Sequence, residues 1–243
     1  MGKNVFKIIT VFIIGTVGGI FADQILWPYF IERPLFFQYR LEQAPVYLTK
    51  TEQVVIEENT ALQDAVDKVQ KTVIGIRSRT ATGKIVEGSG LIVSADGLVV
   101  TFSDLVPQGA ATFIFLDDRS PSFQVLKRDQ KANLVLLKLE ESNLTTSGFA
   151  GMDKLRLGER VFLVGAVLQK DAKGKITLEK SANEGVVKIF TASLIETNIL
   201  EKPALYASPL FNISGEVLGL NIIGADGAVT TIPISKIRPF IGL

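Results

Sequence analysis

The chain has 243 residues and contains no histidine and no cysteine. Those two absences govern the chemistry open to it. Imidazole is the usual general base at neutral pH and the commonest metal ligand, and thiolate is the strongest nucleophile a side chain offers there. A Ser-His-Asp or Cys-His arrangement therefore cannot be assembled from this chain. Disulfides and cysteine-ligated zinc are excluded with it. Hydroxyl, phenol, amine and carboxylate groups are left. A carboxylate-only Ca²⁺ or Mg²⁺ site is open in principle, but no spacing such as D-x-[DN]-x-[DN]-G supports one, so neither metal nor cofactor is expected. Lys+Arg 26 against Asp+Glu 25, a formal charge of +1, sets up no large uniform field, and a nucleic-acid partner is not expected.

The elements that must carry these groups begin with an apolar N-terminus. "MGKNVFKIITVFIIGTVGGIFADQILWPYF" has Lys3 and Lys7 ahead of an apolar run from Ile8 to Ala22. With Val5–Phe6 and "ILWPYFI" added, the run reaches roughly 20 residues or more, the length a bilayer requires. A cleaved signal peptide is the competing reading, but the chain shows no clean A-x-A site and stays apolar past Asp23. The basic residues precede the span while Asp23, Glu32 and Arg33 follow it, which predicts a single-pass protein with its N-terminus in the cytoplasm and its main domain extracytoplasmic, periplasmic or at the cell surface. Trp27, Tyr29, Phe30, Phe36, Phe37 and Tyr39 then form an interfacial aromatic belt. Residues 1–31 are assigned to the cytoplasmic tip and anchor, 32–58 to a juxtamembrane linker, and 59–243 to the working domain.

Thr60 and Gln63 read as a capping box, and Leu62, Val66, Val69 and Val73 fall at helical spacing, predicting one helix over about 60–71. After it the period is two. "TVIGIRS", "GLIVS", "LVVTF", "TFIFL", "FQVLK" and "LVLLKL" lie in one half, and "RVFLVG", "KITLEK", "GVVKIF", "LIETN", "EVLGLNII" and "AVTTIP" in the other. Turn signals at Asp96-Gly97, Lys173-Gly174, Ser214-Gly215 and Asp226-Gly227 separate the runs. Many short strands with glycine turns mean an all-β sandwich or barrel, and two halves of similar size, about 72–145 and 150–243, fit a double barrel better than one sandwich. "ISKIRPFI" closes the chain as a short helical turn cut at Pro239.

The order of phrases identifies the architecture. "AVDKVQKTVIGI", "GSGLIVSADGLVVTFSDLV", "LDDRSPSFQVLKRDQKANLVLLKLE", "LRLGERVFLVG", "NEGVVKIF" and "ALYASPLFNISGEVLGLNIIG" together resemble the HtrA-type (Do-like) trypsin-like serine proteases over roughly residues 61–240. The resemblance implies a double six-stranded β-barrel preceded by a short helix. It also places the family's catalytic positions. The histidine of "TNxHV" falls at Asp104 in "TFSDLV". The aspartate of "DLAVLK" falls at Asn133, and the serine of "GNSGGPL" at Tyr206 in "ALYASPL". All three letters differ.

What survives is poor hydrolytic chemistry. A carboxylate at Asp104 is too weak a base for an alcohol, and Asn133 carries no charge to stabilise an imidazolium. Tyr206, with an ordinary pKa of roughly 10, is a poor nucleophile at neutral pH. "ALYAS" has no glycine to shape an oxyanion hole, so a differently shaped loop is expected. Ser208 lies two places on, roughly 6–7 Å along a strand, and a Ser-Lys dyad there would need a buried lysine, which neither Lys188 nor Lys202 is marked to be. The expected structural roles are a turn carboxylate at Asp104, a backbone-bonded turn residue at Asn133 and an aromatic plug at Tyr206. The expectation is a degenerate, non-hydrolytic member that holds a protein or peptide partner in the cleft at Asp104, Leu205, Tyr206 and Ser208, or serves as a subunit of an envelope complex. Two alternatives stand beside it: an active endopeptidase with rearranged residues, and a purely structural membrane-anchored assembly factor. The family often appends a peptide-binding PDZ domain and forms trimers. The resemblance therefore carries a possible homotrimer, and no PDZ domain is expected after Leu243.

Overall fold

The computed structural model describes residues 2–32, 58–171 and 174–242, which fall into two units, the N-terminal helix and the rest of the chain. The first unit is α1 (Gly2–Phe21), whose helical turns run on through Ala22–Glu32. Its stretch Gly2–Trp27, 26 residues with mean hydropathy 2.2, is long and apolar enough to cross a membrane, a property that signal sequences share. Most of the 32–58 linker, with Phe36, Phe37 and Tyr39 of the aromatic belt, lies outside the described residues, as does Lys173 of one turn signal.

In the second unit α2 (Glu58–Val69) starts before Thr60, so Thr60 sits inside the helix and does not cap it. Ala65 and Val69 are its buried contacts, with Leu62 and Val66 packed beside them. Twelve antiparallel strands follow. The N-terminal half holds β1 (Val73–Arg79), β2 (Ile85–Ile92), β3 (Leu98–Phe102), β4 (Ala111–Phe115), β5 (Phe123–Asp129) and β6 (Leu134–Leu139). The C-terminal half holds β7 (Arg160–Lys170), β8 (Ile176–Phe190), β9 (Ile195–Leu200), β10 (Pro209–Asn212), β11 (Val217–Ile223) and β12 (Ala228–Pro233).

The second half closes into a barrel, β10-β11-β12-β9-β8-β7, whereas the first is a six-stranded sheet in the order β4-β1-β2-β3-β6-β5. The expected double six-stranded barrel is present as one closed barrel and one half-barrel, open between β4 and β5. The open edge is protected by its residues: β5 exposes most of its length and carries Lys127 and Arg128, charges that discourage edge-to-edge pairing. Three corrections concern the C-terminal half. "KITLEK" and "GVVKIF" are a single 15-residue strand, because the polar "SANE" between them keeps pairing with Val164, Leu163 and Phe162. The sixth strand is instead the short "PLFN". Pro239 does not end the last helix. α3 (Ile234–Ile241) runs through it, held by the buried Ile234, Ile237, Phe240 and Ile241, and stops at Gly242 with φ 81°.

One apolar core runs from α2 and the half-barrel through Phe162, Phe211 and α3, with Phe162 and Phe211 stacked at 5.4 Å between centroids. A second core fills the closed barrel. The two halves therefore share a buried seam, and the loop before β10 lies against it.

Candidate functional site

The loop entering β10 is a tight turn. Pro203, whose fixed φ suits the first position of a helical turn, opens a 3₁₀ turn at Pro203–Leu205. The N–H groups of Leu205, Tyr206 and Ser208 donate back to the carbonyls of Lys202, Pro203 and Leu205 at 3.0, 3.1 and 3.1 Å. Ala207 then takes the left-handed region, with φ 60°, at a cost of about 1 kcal/mol for a residue with a Cβ. Two bonds tie the loop to β11: Ala207 N donates to Asn221 O at 2.8 Å, and Asn221 N to Ser208 O at 2.9 Å. A third ties it to β2, where Ser89 N donates to the Tyr206 carbonyl at 2.8 Å. That approach needs Gly88, since a Cβ there would stand 2.7 Å from the same oxygen.

Asp104, Asn133 and Tyr206 meet at the phenol. Tyr206 OH donates to Asp104 Oδ2 at 2.8 Å, and Asn133 Nδ2 donates to the phenol oxygen at 3.3 Å. The Tyr206 ring lies tilted on Phe102, centroids 5.1 Å apart. Asn133, itself left-handed with φ 54°, which asparagine tolerates better than most residues, anchors the Asp104 turn. Its Oδ1 accepts from Ser103 Oγ at 2.9 Å and Asp104 N at 3.2 Å, and its carbonyl accepts from Ser103 N at 2.9 Å. Burial, then the hydrogen bond to the Asp104 carboxylate and its charge, push Tyr206 ionisation well above the usual phenol range, against a smaller opposing pull from the Asn133 amide. The phenol therefore stays protonated at neutral pH.

A cleft of about 370 Å³ opens beside this cluster, lined in part by Lys84, Glu87, Asp104, Pro203, Tyr206 and Ile223. Asp104 is exposed and Tyr206 half-buried. Leu205 and Ser208, the other two expected cleft residues, do not face it. Leu205 is 2% exposed and belongs to the barrel core, and Ser208 is fully buried, where its Oγ accepts from Asn221 Nδ2 at 3.1 Å. The reason is the tight turn, which alternates Tyr206 outward and its neighbours inward.

Several positioning residues carry no signal in the family's catalytic letters. Thr231 Oγ1 donates to Asn221 Oδ1 at 2.6 Å, completing a buried polar chain Thr231–Asn221–Ser208 under the loop. Ser89 Oγ accepts from Ala166 N at 2.9 Å, bridging the half-barrel to the closed barrel. A polar residue at an inward place of an apolar strand, as in "LGLNII", was the available sequence signal for Asn221.

A model of the trypsin-like peptidase domain matches residues 88–220. The chain belongs to that family. Among trypsin-like relatives it is 29% identical over 135 residues to a protein of Pseudomonas fulva named "Probable periplasmic serine endoprotease DegP-like", with 55% of this chain and 28% of the relative covered. Proteins of the same name from Ectopseudomonas mendocina and Halomonas elongata are 30% and 27% identical over the same length and coverage. The chain resembles these HtrA-type relatives and matches just over a quarter of their length.

A trypsin-like site needs donors aimed at the developing oxyanion and a base within reach of a hydroxyl nucleophile. Here the Tyr206 N–H is already bonded to Pro203 O. The side chains that meet there are a phenol held protonated, a carboxylate and an amide. Their mutual hydrogen bonds join them into one cluster beside the cleft.

Proposed function

We propose that this chain is a pseudoprotease: a trypsin-like domain, anchored in a membrane by α1 and facing the extracytoplasmic side, that holds a protein or peptide partner without cutting it. The observation that carries this reading is the closed Tyr206–Asp104–Asn133 cluster, at 2.8 and 3.3 Å, together with the Tyr206 N–H already bonded to Pro203 O. The cleft beside it supports binding, because the exposed Asp104 carboxylate and the half-buried Tyr206 ring offer a charge and a rigid contact face. The apolar Gly2–Trp27 stretch supports an anchor, and the word periplasmic in the names of the relatives supports the placement of the domain. Assembly into a homotrimer extends the proposal on family resemblance alone.

The names of those relatives favour a second reading, that the domain hydrolyses peptide bonds by rearranged chemistry. Incubating the full chain in detergent micelles with a fluorescently labelled unfolded protein for a day, beside Tyr206→Phe and Ser208→Ala, separates the two. The proposal expects no turnover above a buffer blank in any sample. Turnover that co-purifies with the chain and collapses in either variant establishes a hydrolase instead.

A further inference from the structure

A second, chemically different surface lies on the outer face of the half-barrel. Register places Arg77 between Phe113 on β4 and Glu87 on β2, and Arg79 between Ala111 and Ile85. Residues two apart on a strand share a face, so these rows form one surface that carries Arg77, Arg79 and Glu87 among apolar side chains. The long β7–β8 hairpin leans over one end of it. It packs on Gly75, where a Cβ would stand 2.9 Å from both Leu168 Cδ2 and Leu178 Cδ1. Beyond the hairpin no described residue covers the rows, leaving a pocket of about 290 Å³ lined by Arg77, Arg79, Ile85, Phe113, Phe115 and Ile176.

Two properties of this pocket point to a ligand. Phe113 is 53% exposed and Ile85 47%, adjoining apolar surface that the fold does not cover. The two cations also differ. Arg77 is paired with Glu87 at 3.0 Å, whereas Arg79 is exposed and has no hydrogen-bond or ion-pair partner among the described residues. An unpaired guanidinium beside an uncovered aromatic and an aliphatic side chain is complementary to a carboxylate that neighbours an apolar side chain, and planar guanidinium suits bidentate capture of a carboxylate.

We infer that this pocket is a docking site for an extended peptide segment of a partner protein in which a large apolar side chain neighbours an aspartate or glutamate, the carboxylate pairing with Arg79 and the apolar group packing on Phe113, Ile85 and Ile176. The site lies outside the inter-barrel cleft, and the inference holds whether or not the cleft cuts.

The test uses the full chain in detergent micelles and a fluorescein-labelled peptide of alternating leucine and glutamate, followed by anisotropy. Comparison peptides replace every glutamate by glutamine or every leucine by serine. Binding is expected only for the leucine–glutamate peptide and is expected to weaken as salt is raised. Arg79→Glu and Phe113→Ser should each weaken it at least about tenfold, Arg79→Lys should retain part of it, and Leu157→Ser, an exposed apolar substitution elsewhere, should leave it unchanged. Unaltered melting temperatures of these surface variants exclude misfolding as the cause. Three results overturn the inference: equal affinity for the glutamine peptide, full binding by Arg79→Glu or Phe113→Ser, or no binding of the leucine–glutamate peptide. Sedimentation that reveals self-association lost in Phe113→Ser overturns it too, and assigns the face to a second copy of the chain.

Discussion

Two hydrogen-bonded clusters flank the loop before β10, and they differ in what their surroundings demand. On the buried side Thr231, Asn221 and Ser208 form a chain with no solvent exposure at any of the three residues. Side chains buried that deeply must satisfy one another, since an unpaired polar group in the interior costs about 1–3 kcal/mol. On the solvent side Asp104, Asn133 and Tyr206 make bonds of similar length, but Asp104 is exposed and water competes for it. The first cluster is scaffold and sets where the loop runs. The second is decoration on that scaffold, and its residue types decide whether the loop does chemistry.

Breaking the buried cluster should have the largest effect. Asn221→Leu removes the partners of Ser208 Oγ and Thr231 Oγ1 together and should destabilise the domain by about 2–4 kcal/mol, read by chemical denaturation. A loss below about 1 kcal/mol would erase the contrast drawn between the clusters. Ala207→Gly addresses the backbone the two clusters share. It relieves a left-handed alanine but adds a glycine entropy cost of about 0.5–1 kcal/mol, so stability should rise by no more than about 0.5 kcal/mol, visible as a melting temperature equal to or slightly above that of the wild type. A drop would mean the loop relaxes to another course once the methyl is gone.

The solvent-side cluster should matter least to stability. Tyr206→Phe keeps the ring on Phe102 and loses only bonds that water can replace, about 0.5 kcal/mol at pH 7. Its signature is in the pH dependence. The folded state holds the Tyr206 proton more tightly than the unfolded chain does, so this contribution is complete below the ordinary phenol value of 10.0 and is lost as pH rises above it. The stability gap between wild type and Tyr206→Phe should therefore narrow above pH 10 in denaturation measured from pH 8 to 11. A constant gap would remove the Asp104 hydrogen bond from the account.

The fold was largely legible, and its misreadings share one cause. Period-two runs located β1, β3, β5 and β6 closely, but cross-strand pairing is not written in a local window. "SANE" has turn composition, yet β7 pairs through it. "PLFN" is too short and too proline-bounded to read as a strand until β7 and β11 bond to it on both sides. Pro239 signals a break that the buried face of α3 overrides. At the site, the order of phrases singled out Asp104, Asn133 and Tyr206, whose side chains meet in the structure. It did not distinguish Tyr206, turned toward the cleft, from Leu205 and Ser208, turned into the core, because that depends on the dihedral at Ala207.

Composition alone removed imidazole and thiol chemistry, since no folding can supply a side chain the chain lacks. It also marked the N-terminus as long and apolar enough for a bilayer, because that depends on length and hydropathy and on nothing else in the molecule. Contacts between distant parts of the chain set the rest. Tyr206 and Asp104 are 102 positions apart, and nothing local obliges a phenol to reach that carboxylate. They meet because Gly88 lets the Tyr206 carbonyl close on Ser89, Asn221 holds the loop from beneath, and Asn133 fixes the turn that presents Asp104.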